Sequence, residues 1–111
     1  MTRCVAEKRP LGDGKLKLSL HVEGHANYAE SGKDIVCAAV SCLCLSLANT
    51  LVATGAEEKH FRMEDGVLHM SATIAENCVY AEGAFDMAVL GLQMIAEQYP
   101  NHVEIESGML R

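Results

Sequence analysis

The chain has 111 residues, half of them hydrophobic, 22% charged and only two proline, which excludes a disordered, collagen-like or low-complexity segment. At this length a domain buries roughly 65% of its unfolded surface, enough for one core over residues 1–111 and not for two. Nine Lys and Arg against fifteen Asp and Glu leave a net charge of −6, which argues against a direct nucleic-acid partner and suits a basic protein partner.

Met1 to Lys8 lacks the apolar run of a signal peptide, and the five cysteines are odd in number and unevenly spaced. The expectation is a cytoplasmic protein with free thiols. A short apolar patch at Cys4 to Ala6 leads into Pro10-Leu11-Gly12-Asp13-Gly14, a turn by composition. Beyond it Leu16, Leu18, Leu20 and Val22 alternate with Lys15, Lys17, Ser19, His21 and Glu23, the period of a half-buried strand that closes a hairpin and stops at Gly24. His25 to Lys33 has no periodic apolar face and reads as a mobile loop with Gly24 and Gly32 as its hinges.

From Ile35 to Ala56 there is no charged residue, and Asp34 stands where an N-cap belongs. The run is long enough to cross a membrane, but Ser41, Ser46, Asn49, Thr50 and Thr54 dilute it and no basic residue sits close to its start, so a long buried core helix is expected and no membrane partner. Glu57 to Met63, the turn Glu64-Asp65-Gly66 and the alternating Leu68, Met70, Ala72 and Ile74 predict a second hairpin. Phe85, Val89, Leu92, Ala96 and Tyr99 form a helical spine that Pro100 ends, and His102 to Glu106 predicts a last strand. The resulting order is strand, strand, helix, strand, strand, helix, strand: an α+β two-layer sandwich with a mixed sheet. Met87, Leu90 and Met94 widen the apolar arc of the second helix beyond what one sheet covers, which predicts a homodimer.

The chemistry concentrates in residues 24–41. If Asp34 caps the helix, Cys37 is its third residue, where unpaired N–H groups and the helix dipole favour a thiolate. Residues 26–33 can fold back to bring the His25 imidazole to it as proton acceptor and donor. The free amides at the helix start are the nearest donors for an oxyanion. Asp34 is either a cap turned away from the sulfur or a partner that orients His25, and Ser41, one turn beyond Cys37, either lines a pocket or is a satisfied helix serine. Blander readings stand beside these. Cys4, Cys42, Cys44 and Cys78 read as small buried apolar residues, and His21, His60, His69 and His102 as surface loop residues. No metal is expected: Cys42 and Cys44 diverge on a helix, and Cys37 and Cys44 lie two turns, about 10 Å, apart. A redox module pairing Cys37 with Cys42 or Cys44 meets the same geometric difficulty.

The run Gly24-His25-Ala26, then Gly32, then Asp34-Ile35-Val36-Cys37-Ala38-Ala39-Val40-Ser41 resembles the signature of the ribosomal-processing cysteine protease (Prp) family. The order of hairpins and helices and the closing Gly91-Leu92 and Gln98-Tyr99-Pro100 extend the resemblance along the chain. It implies a cofactor-free endopeptidase that removes the N-terminal extension of ribosomal large-subunit protein 27 during ribosome assembly. Cys37 would be the nucleophile and His25 the general base and acid, passing through a thioester, with Asp34 and Ser41 in support and a glycine-containing loop over the substrate. It also implies a homodimer. Cys42 and Cys44 are thiols beyond the motif, and no third member of a triad is fixed by it. The alternative from another class is a non-enzymatic ribosome-associated protein-binding domain in which His25 and Cys37 are incidental.

Overall fold

A computed structural model describes residues 1–30, 32–54 and 58–108. The elements are β1 (Thr2–Gly12), β2 (Lys15–Glu23), α1 (Ile35–Ala53), β3 (Glu58–Glu64), β4 (Val67–Ala75), α2 (Val79–Gln98) and β5 (Val103–Gly108). The strands form one sheet in the order β3-β4-β2-β1-β5, antiparallel except for the parallel β1–β5 pair. This is the expected α+β architecture with a mixed sheet.

The alternation of β2 decides which face is covered. Leu16, Leu18, Leu20 and Val22 are buried, and their partners across β1 and β4, such as Ala6 and Met70 opposite Leu20, are buried with them. Each fully buried leucine contributes roughly 1.5–3 kcal/mol of transfer free energy. Against this face α1 lays Val36, Val40, Cys44, Leu47 and Leu51 and α2 lays Phe85, Val89 and Leu92, with the helices touching each other. The opposite face carries the residues of the other parity, among them Val5, His21, His69 and Arg62 in one cross-strand row.

Several expectations change. β1 runs on through Pro10 to Gly12, with the irregularity at Pro10/Gly12; among the described residues β5 pairs with β1 only as far as Glu7, and a proline is tolerated where a strand lacks a second neighbour. The uncharged helix is not buried all round: in a two-layer fold only one stripe meets the sheet, and Ile35, Leu45 and Val52 are exposed. Gly55 and Ala56, expected in that helix, and Glu57, expected at the start of the next strand, lie outside the described residues. His21, His60 and His69 sit on strands, not in loops. Cys42 is exposed because it lies on the outer side of α1, and Cys78 caps α2 half-buried. Lys8, on the core-facing side of β1, is buried, and its Nζ lies 2.7 Å from both Glu82 and Asp86, one turn apart on α2.

Candidate active site

The site is made where the second strand ends and the first helix begins. Asp34 is the N-cap: its Oδ1 accepts from the Cys37 N–H at 2.9 Å and its Oδ2 from Tyr28 N–H at 3.0 Å and Ala29 N–H at 3.4 Å. One carboxylate thereby closes the loop onto the helix start. The Cys37 amide leads these donors in holding the Asp34 carboxyl below its ordinary range, against the opposing effect of desolvation, so it is ionised at neutral pH. Of the two sequence readings of Asp34 the structure shows the cap. The oxyanion expectation changes with it, because the Cys37 amide is spoken for and the Ala38 N–H already donates to the Asp34 carbonyl at 3.0 Å.

Cys37 is the third residue of α1, half-buried, and lines one cleft of about 240 Å³ together with His25 and Ser41. Cys37, His25 and Ser41 also border a second, wider depression on the side of Asn27, Ala29 and Gly32. The fold therefore brings the three sequence candidates to one place. His25 is fixed mainly through backbone. Gly24 has φ +89°, and a Cβ there would stand 2.3 Å from the Met1 carbonyl oxygen, so only glycine lets the chain pass. The Gly24 N–H donates to the Gly66 carbonyl at 2.8 Å, and the Met1 amino group donates to the His25 carbonyl at 2.8 Å.

Residues 26–28 are seated rather than loose. Ala26 is buried, its carbonyl accepts from the His102 ring at 2.9 Å, and Tyr28 meets Tyr99 and His102 edge-on. His102 thus has a structural task that its reading as a surface loop residue missed. Gly32, at φ +86°, has open space around its missing Cβ.

The β3–β4 turn is the part of the site that sequence reasoning did not find. Asp65 and Gly66 border the cleft; His25 Nε2 lies 3.9 Å from Asp65 Oδ1 and 3.1 Å from where a Gly66 Cβ would be. No local sequence signal marks it: the pairing of β2 with β4 puts Glu23 opposite Val67 and leaves the next turn projecting beside Gly24 and His25. The remaining thiols separate cleanly. Burial, and next the neighbouring Cys44, pushes Cys4 up to about 12; burial pushes Cys44 up to about 11. Both core thiols stay protonated at neutral pH and are therefore poor nucleophiles.

A family model described as cysteine protease Prp matches residues 1–104. The chain belongs to the Prp family of cysteine proteases. It is 31% identical over 86 residues to the ribosomal processing cysteine protease Prp of Mycoplasma genitalium, covering 78% of this chain and 84% of that protein. To the Staphylococcus aureus Prp it is 26% identical over 85 residues, covering 76% and 80%. The fold matches a crystal structure of Prp from Staphylococcus aureus with a covalently linked product peptide, at TM-score 0.79 and 24% identity over 97% of this chain and 100% of that one. A Streptococcus mutans protein aligns at TM-score 0.66 and 28% identity over 96% and 93%.

Proposed function

We propose that this Prp protease removes the N-terminal extension of ribosomal large-subunit protein 27 in the cytoplasm during ribosome assembly, using a Cys37–His25 dyad. The observation that carries the reading is the shared cleft, with Cys37 on the first turn of α1 and His25 at the end of β2. The Cys37 sulfur gives its proton to His25 and attacks the scissile carbonyl; His25 then protonates the departing amine as the thioester forms. Water activated by His25 hydrolyses the thioester and frees Cys37. Asp34 positions the helix start without touching the substrate. Ser41, one turn further along the same cleft, supplies a hydroxyl toward the developing oxyanion in place of the occupied Cys37 amide. A net charge of −6 favours encounter with a basic ribosomal protein.

A homodimer accompanies this reading. Tyr80, Met87, Leu90 and Met94 are exposed on α2 at alternating steps of seven, three and four residues, one apolar stripe of the kind a second copy covers.

The test is cleavage of the extended ribosomal protein 27, followed by mass spectrometry. Cys37→Ala and His25→Ala should fold, by circular dichroism, and not cut. Cutting by Cys37→Ala removes the nucleophile assignment, and binding without cutting by the unmodified protein favours the non-enzymatic alternative.

A further inference from the structure

The catalytic cleft does not end at Leu45. A second cavity of about 230 Å³ lies between α1 and β3, walled by Ala48 and Val52 on the helix and Phe61 on the strand. Leu45, Met63 and Leu68 line both cavities, so the two are one continuous groove. Around it Leu45, Val52, Phe61 and Met63 stay between 39% and 58% exposed, an apolar surface of the kind soluble proteins keep for binding.

We propose that this groove is an extended subsite for the peptide substrate, taking apolar side chains about four to seven residues from the scissile bond. The inference rests on the protease reading, and its occupant follows from continuity with the cleft that holds Cys37. Helix rise places Leu45 about 12 Å and Val52 about 22 Å along α1 from Cys37. An extended peptide advances about 3.3 Å per residue, so those walls fall roughly four and seven residues from the point of attack.

The chemistry of the groove selects the occupant. No carboxylate lines it; Arg62 and His69 do, at strand positions that alternate with Phe61 and Met63, and Arg62 is already bonded to Glu64. The catalytic end carries Glu64 and Asp65 instead. The groove therefore discriminates among substrates by apolar burial, whereas the catalytic end is acidic. β3 is an edge of the sheet, and Phe61 and Met63, two residues apart, present both side chains to the same groove. A peptide strand laid beside that edge has the same two-residue repeat, so alternate substrate residues meet the wall.

A binding cycle in the non-cleaving Cys37→Ala background tests the groove separately from the chemistry. One synthetic peptide spans eight residues on each side of the cleavage site of ribosomal protein 27, and a truncated one spans three. Truncation should weaken binding tenfold or more, the effect of removing one large apolar side chain from a pocket. With Val52→Asp and Phe61→Ser added, the same truncation should matter less than twofold. Equal truncation penalties in the two backgrounds overturn the subsite. Failure of the unmodified protein to cut the long peptide overturns the protease reading instead, and the binding cycle still decides the groove.

Discussion

The placement of His25 by Gly24 gives a measurable prediction for Gly24→Ala. A methyl group at that position meets the Met1 carbonyl oxygen at 2.3 Å, while ordinary contact begins near 3.4 Å, so one of the two backbones must move by about 1 Å. The left-handed φ of +89° adds a conformational cost of roughly 1–3 kcal/mol. Against a total stability of about 5–15 kcal/mol the variant stays folded at 25 °C, with Tm lowered by about 4–8 °C for each kcal/mol. Catalysis is more sensitive, because a misplacement of about 1 Å in a reacting group costs on the order of 100-fold. Gly12→Ala is the control: its φ is +84°, nothing lies within 4 Å of the new methyl, and it sits at the β1–β2 turn away from the cleft. Both variants should lose stability, measured by thermal unfolding, but only Gly24→Ala should lose kcat/KM for the precursor by about 100-fold. If Gly24→Ala cuts within threefold of the unmodified protein, the backbone crossing at Met1 does not position the base, and the account of how His25 is held fails.

Three further outcomes follow from other parts of the structure. Lys8→Met leaves Glu82 and Asp86 facing each other without their cation; because those carboxylates remain 31% and 39% exposed, the loss should be roughly 1–3 kcal/mol in urea unfolding, short of a fully buried pair. Asp34→Ala should lower Tm by several degrees at pH 7. Since the folded-state pKa of Asp34 is depressed, the cap's contribution is present above the ordinary carboxylate range and lost as pH falls through the folded value, so the gap to the unmodified protein should narrow by pH 3. His69 is lowered by burial first and then by His21, Lys17, Arg62 and His60, so its contribution is full above about pH 6.5 and is lost as pH falls. His69→Gln should therefore flatten the decline of stability between pH 6.5 and 5, and an unchanged slope would assign that decline to other groups.

What the sequence made legible was local. The strict alternation of residues 15–23 could bury only one face, and Asp34 before an uncharged run had to cap a helix if Cys37 was to sit in its first turn. The motif residues His25, Cys37 and Ser41 come together because eleven residues of loop and helix start separate the first two and one helical turn the last two. The sheet order was not legible, because nothing local says that β2 takes β4 as its other neighbour or that β1 accepts β5 in parallel. Asp65 and Gly66 reach the site only through that long-range pairing, so they read as an ordinary turn. His102 escaped for the same reason: its bond to the Ala26 carbonyl spans 76 positions. The Cys37 amide was misjudged because a cap aspartate both starts the helix and consumes the donor that the start would otherwise leave free.

That last point bears on how so small a domain carries its site. The sheet–helix core leaves His25 more than half exposed, so burial does not hold the imidazole. Its position comes from main-chain contacts converging from three distant segments: the Met1 carbonyl under Gly24, the Gly66 carbonyl accepting from Gly24, and the Asp34 carboxylate drawing in the backbone of Tyr28 and Ala29. The same carboxylate holds the first turn that carries Cys37, so one side chain couples the far end of the loop to the proposed nucleophile. Backbone anchors leave both side chains of the proposed dyad bordering the cleft. The consequence is asymmetric. Side-chain substitutions on the open sheet face should leave cleavage nearly untouched, whereas a single methyl at Gly24 or Gly66, or loss of the Asp34 acceptor, acts on the geometry of the pair itself.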